Sequence, residues 1–374
     1  MKRVVKSIYA PTRYVFVADR FSNFISVTDI VSGEHVETLD FSMRPHVMEL
    51  ARDDAMLAVG SPEVSAIEFM NLRTRERRRV ELPSPVFQLF FVPQTNLVAV
   101  GLRDQVGMIS YKDFSVRIFP RRFDSDQRQT LINTYYSLLF SSFSQSFWVL
   151  DEDRPFIYHR YGGAEPLDAP WKTIDLSRHI GSGSGLGIGV ASPEDDLLAM
   201  TTDDGSEGLV YFPAQDKVLS TGPMRTVGST NEPMIMPYID AYSKHVIFAD
   251  MEGNVALFDL VNGNGKSERF TVKFSPRFIR TGWLESTWIL AGDKGIMFQS
   301  FKDPSDRKIV RFVPEVMNMW VTGDSKTALY TLDEGAPTIY RFDIRTREPL
   351  PPIRVRGVTM ASMLRMGSNN SICY

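Results

Sequence analysis

Side chains able to hold a charged ligand recur in short proline-bearing loops of this chain. The loops read Ser42-Met43-Arg44-Pro45-His46, Ser229-Thr230-Asn231-Glu232-Pro233, Ser275-Pro276-Arg277 and Pro314-Glu315. Arg44, His46, Glu232, Arg277 and Glu315 thus offer two guanidinium groups, two carboxylates and an imidazole, and the prolines beside them fix φ and lower the cost of ordering a site. Other constellations fail on spacing. The five histidines, His35, His46, His159, His179 and His245, include no pair at a metal-ligand spacing. Apart from His46, they fall at turns or strand ends, where an exposed or hydrogen-bonded imidazole is expected. Cys373 is the one cysteine, which excludes an intrachain disulfide and a multi-cysteine metal site. A G-x-S-x-G pattern occurs once, at Gly181–Gly185. A nucleophile elbow needs a strand-to-helix turn, whereas here the pattern precedes a strand, Ile188–Ala191, as an inter-repeat linker would. Asp19, Asp151, Asp250, Asp293 and Asp333 end short apolar segments and could in principle ring a hard cation. The same slot holds Gly60, Gly101 and Thr201, so a turn role is expected instead. No catalytic residue, cofactor or metal site is expected.

The elements that carry these residues repeat. A polar turn followed by a β-branched or aromatic strand recurs at Tyr9–Asp19, Ala51–Gly60, Val92–Gly101, Ser142–Asp151, Ser192–Thr201, Asp240–Asp250, Leu284–Asp293 and Gly323–Asp333. The spacing of roughly 40 to 50 residues is that of propeller blades. A second strand often follows and ends on an Asx residue, as at Asp29, Asn71, Asp259 and Asp343, whose short acceptor side chain can close the next turn. An outer strand completes four per unit, for example Val36–Phe41, Arg79–Leu82, Val116–Phe119, Lys172–Leu176 and Lys308–Val313. Helical periodicity is confined to Asp126–Tyr135. The fold expected is all-β, one β-propeller domain over residues 1–374 with four-stranded blades. Eight blades are favoured, and seven is the alternative if the fourth or fifth unit is over-read. A ring must hide its edges, so Val358–Met366 is expected beside the N-terminal strands, replacing or doubling Arg3–Ser7.

Composition narrows the partners. A net charge of −3 supplies no basic field for nucleic acid. The local run Arg73, Arg75, Arg77, Arg78 and Arg79 reads as a solvated turn entering a charged edge strand. No segment has the length and hydropathy of a membrane span, and Met1–Tyr9 lacks the apolar stretch of a leader peptide. A cytoplasmic location is expected for a complete chain, and a periplasmic one if a leader has been removed.

The proline-preceded first strand, the strands Tyr14–Asp19 (YVFVAD) and Ile25–Asp29 (ISVTD), and the exit Ser32–Leu39 (SGEHVETL) resemble YVTN-type propeller repeats. Such repeats occur in bacterial surface proteins, the nitrite reductase propeller and amine dehydrogenase heavy chains. The resemblance spans nearly the whole chain and implies fold, not function. The function expected is a non-enzymatic scaffold that binds a protein or peptide. The alternatives are a redox-enzyme subunit of the amine dehydrogenase heavy-chain kind, or a small-molecule hydrolase or lactonase. Arg44, His46, Glu232, Arg277 and Glu315 would then crowd one mouth of the central channel. The insertions Arg121–Thr134 and Tyr161–Pro170 are expected to be surface loops available to a partner, with Trp171 exposed. Oligomeric state is left open.

Overall fold

The computed structural model describes residues 13–51, 55–103, 105–120, 138–163, 166–180, 184–224, 234–312, 314–332 and 337–367. They form eight four-stranded antiparallel sheets arranged as the blades of a propeller. The fourth and fifth units, irregular in sequence, are complete blades, and this settles the count at eight. Among the described residues no helix is long and apolar enough to cross a membrane. The one helix among the described residues is a single turn, Ser177–Ile180.

In each blade the strand second from the axis is deeply buried, because it is packed on both sides by neighbouring blades. Tyr14–Asp19, Met56–Ser61, Leu97–Leu102, Ser146–Leu150, Leu198–Thr202, His245–Ala249, Thr287–Asp293 and Thr327–Leu332 are buried almost throughout. Two-sided burial favours continuous β-branched and aromatic runs over alternation. Outer strands are largely exposed; Arg77–Glu81 buries only Val80. Its arginines meet Glu68 and Glu81 and lie over Phe41 and Phe114, as expected of a charge-protected edge.

The turn after the third strand is one device used repeatedly. The Oδ1 atom of Asp29 accepts the Val31 N–H at 2.9 Å, that of Asn71 the Arg73 N–H at 2.9 Å, and that of Asp259 the Val261 N–H at 2.9 Å. Four residues after Asp29, Asn71 and Asp343, the backbone turns left-handed at Gly33, Arg75 and Arg347, with φ of 72°, 67° and 59°.

Residues from both ends of the chain close the ring. Ala361–Arg365 becomes the innermost strand of the first blade by pairing with Tyr14–Asp19, Val17 opposite Leu364 and Ala18 opposite Met363. Buried Asp19 locks the junction by accepting the N–H groups of Phe21, at 2.7 Å, and of Thr359. Arg3–Ser7 lies outside the described residues, as do Asp126–Tyr135 and the insertion Arg121–Thr134.

Two expectations need correction. Trp171 is fully buried, not exposed, and its Nε1–H donates to the Pro120 carbonyl at 3.0 Å. The insertion Tyr161–Pro170 lies at the surface as expected, with Tyr161, Pro166, Leu167, Asp168 and Pro170 exposed, and the buried Arg160 guanidinium holds it there by donating to the carbonyls of Pro166 and Ala169 while lying over Phe119. Its sequence is rich in loop formers, but the charge that pins it comes from the preceding strand. His159 also departs from the expected pattern, lying in mid-strand and only 7% exposed.

Candidate functional site: the central channel

The eight innermost strands, Ala361–Arg365, Val47–Leu50, Val86–Val92, Leu138–Ser141, Leu186–Ala191, Tyr238–Ile239, Ser275–Gly282 and Val316–Val321, surround a cavity of about 550 Å³. Such a volume is that of a small-molecule site. Because every blade has the same strand order, all eight inner strands run the same way along the axis. Their first residues therefore lie at one mouth and their last at the other.

The loops singled out by sequence that fall among the described residues lie where the inner strands begin, and their charges are largely spent locally. Arg44 pairs with Glu63. Arg277 reaches Asp293 at 2.6 Å and Glu315 at 3.1 Å. His46 is exposed, and its imidazole is held below the usual value by partial burial and by the positive charges of Arg44 and Arg20. Glu232 lies outside the described residues. Of the other four, Arg277 lines the cavity, whereas Arg44, His46 and Glu315 do not. Asp19, Asp151 and Asp250 serve their own turns, each accepting an N–H two residues on, from Phe21 at 2.7 Å and from Asp153 and Glu252, both at 3.0 Å, whereas Asp293 pairs with Arg277. Asp333 lies outside the described residues.

The channel wall carries a different set. One position of each inner strand sits opposite a mid-strand residue of its neighbour, and around the ring these pairs are Arg365–Phe16, Glu49–Ala58, Phe90–Ala99, Leu139–Trp148, Val190–Ala199, Tyr238–Ile247, Arg280–Ile289 and Trp320–Leu329. All eight inner-strand members line the cavity. They form a belt with two unlike halves. Arg280, Trp320, Arg365 and Glu49 come from four consecutive blades and are polar or aromatic. Phe90, Leu139, Val190 and Tyr238 come from the other four and are apolar apart from the Tyr238 hydroxyl, which meets Thr281 Oγ1 at 2.9 Å.

The polar half is organised around Trp320. The guanidinium of Arg365 lies over its ring at 4.4 Å and that of Arg280 at 5.3 Å, one from each neighbouring blade. Cation–π contacts of this kind favour charge next to an apolar wall. Each arginine also donates to the carbonyl just before it, Arg280 to Ile279 at 2.7 Å and Arg365 to Leu364 at 2.9 Å, which holds both side chains against their own strands. Arg365 Nε donates to Glu49 Oε1 at 3.1 Å. Burial pushes the Glu49 carboxyl above its usual value, against the pull of Arg365 and Arg280. Two guanidinium groups and one carboxylate leave this half with a net charge of +1. Arg280 is sixth of eight residues in its strand, Trp320 fifth of six, Arg365 last of five and Glu49 third of four, so the belt lies toward the mouth where inner strands end.

The sequence reading missed Arg280, Trp320, Arg365 and Glu49. The signal that finds Glu49, Arg280 and Trp320 is the alignment of each inner strand on the core strand that follows it, and Arg365 is found by aligning its strand on Tyr14–Asp19, which precedes it in the chain.

No protein-family model matches the chain, and neither does any curated protein. Solved structures do match in fold. One, described as dihydro-heme d1 dehydrogenase NirN in complex with DHE, has a TM-score of 0.71 and 14% identity over 96% of this chain and 76% of its own. Apo AztD from Citrobacter koseri has a TM-score of 0.57 and 10% identity over 95% of this chain and 98% of its own. The Dos1 propeller has a TM-score of 0.57 and 10% identity over 81% of this chain and 82% of its own. At these identities the likeness is one of fold, and this chain shares with them the β-propeller.

Proposed function

We propose that this propeller is a binding module whose central channel takes up a small amphipathic anion. Its apolar body would lie against Phe90 and Val190, with the buried Leu139 and Tyr238 behind them in the same arc, and its anionic group would meet Arg280 and Arg365. The observation that carries this reading is the division of one structural position, repeated in all eight blades, into an apolar arc and a cationic, aromatic arc. Pockets of this build take orientation from a few fixed polar groups and affinity from apolar walls. The NirN structure, a propeller described as a complex with DHE, lends support. The YVTN-type reading of the repeat belongs with this proposal, supported by the strands Tyr14–Asp19 and Phe24–Asp29.

The test is fluorescence titration with 1-anilinonaphthalene-8-sulfonate, an amphipathic anion. The wild-type protein should show one saturable site. Arg280→Ala should weaken it about tenfold, the equivalent of one charge-assisted hydrogen bond, with thermal stability little changed. Equal affinity of the two proteins would overturn the reading. A protein or peptide partner, the expectation from sequence, is the second reading. It is favoured by Phe143, Tyr242 and Leu284, which are 62%, 45% and 70% exposed in turns that follow inner strands. Capture of a partner that is lost on Phe143→Ser and Leu284→Ser, with sulfonate binding intact, would support it.

A further inference from the structure

We propose that Glu49 sets the charge the channel accepts, by holding Arg365 as an internal counter-ion that an anionic ligand must displace. This rests on the reading of the channel as an anion site and concerns what that site selects.

Glu49 is the one carboxylate of the belt, and its partner Arg365 stands between it and Trp320 in ring order. Both side chains remain open to the cavity, Glu49 by 24% and Arg365 by 21%, so a ligand anion can reach the guanidinium with no movement of the backbone. The elements packed on the Glu49 strand add little competing charge. Met56–Ser61 and Val86–Val92 contain no ionisable side chain, and Ala361–Arg365 contributes Arg365 alone. The charges that act on Glu49 are those of Arg365 and Arg280. With Glu49 ionised, the polar arc carries one net positive charge and suits one anionic group. With Glu49 neutral it carries two, and the Nε donor of Arg365 that the Glu49 carboxylate takes can turn toward the ligand. Burial holds the Glu49 carboxyl above its usual value, so acid, by neutralising it, strengthens the channel's preference for anions.

Two probes with the same ring body separate charge selection from channel binding: the sulfonate named above, and neutral N-phenyl-1-naphthylamine. Glu49→Gln should bind the sulfonate at least about fivefold more tightly, the low end of a typical coupling between sites, and the neutral probe within twofold of wild type. In the wild-type protein, sulfonate affinity should rise as pH falls from 7.5 to 5 while that of the neutral probe stays level, and Glu49→Gln should flatten the sulfonate profile. The sulfonate keeps its charge over this range, so the profile reports the protein. Unchanged sulfonate binding in Glu49→Gln, or equal changes for both probes, would overturn the role of Glu49 and leave the channel reading standing. Should Glu49→Gln fail to fold, the wild-type profiles decide alone: parallel profiles for the two probes overturn the role. If the wild-type protein binds neither probe, the channel reading falls and this inference with it.

Discussion

His159 shows how much a single position can carry that its residue type does not announce. Its ring packs against Trp148 at 3.9 Å and Tyr161 at 4.6 Å, and Nε2 is buried without a hydrogen-bond partner. Burial, helped by the positive charge of Lys172, lowers its pKa to about 4 from an ordinary 6.5. The folded state therefore keeps the ring neutral while the unfolded chain protonates it. The sign follows: the contribution to stability is fully present above pH 6.5 and is lost as pH falls from 6.5 toward 4, by about 3 kcal/mol at the limit. Denaturant unfolding at pH 7.5 and pH 4 should show His159→Gln losing less stability than wild type across that interval. Equal losses would show that the ring is free to protonate in the fold. The expectation that this histidine sat at a turn or strand end failed because its strand is longer and more buried than the polar run Tyr158–Tyr161 suggests.

At the scale of elements, the core strands and turns were legible because each answers one strong physical demand. A strand buried on both sides must be apolar along its length, and a tight turn must supply an acceptor and a left-handed residue. Gly33 meets the second demand at φ 72°. Gly33→Ala should lower stability by about 1 kcal/mol through the left-handed penalty, read as a lower urea midpoint; an unchanged midpoint would mean the turn relaxes. The glycine slot at the end of the core strands has a different cause. A Cβ on Gly101 would come 2.7 Å from the Leu138 side chain of the next blade's inner strand, so blade packing, not turn geometry, selects glycine there. The belt was not legible, because its position holds Arg, Glu, Phe, Leu, Val, Tyr, Arg and Trp in turn and no residue type repeats often enough to mark it. The proline-bearing loops attracted notice through charge, yet Arg44 and Arg277 are each answered by a nearby carboxylate.

The whole molecule is a ring whose closure and candidate site share a strand. Ala361–Arg365 both seals the first blade and delivers Arg365 to the channel. Eight blades place eight variable side chains at one level of the axis, so a small change of type around the belt changes what the channel can hold without altering the blades. The direct test of this account is a crystal structure of the protein with 1-anilinonaphthalene-8-sulfonate bound. Density is expected inside the channel, with the rings against Phe90 or Val190 and the sulfonate within hydrogen-bond distance of Arg280 or Arg365. An empty channel with the probe bound elsewhere on the protein would contradict it.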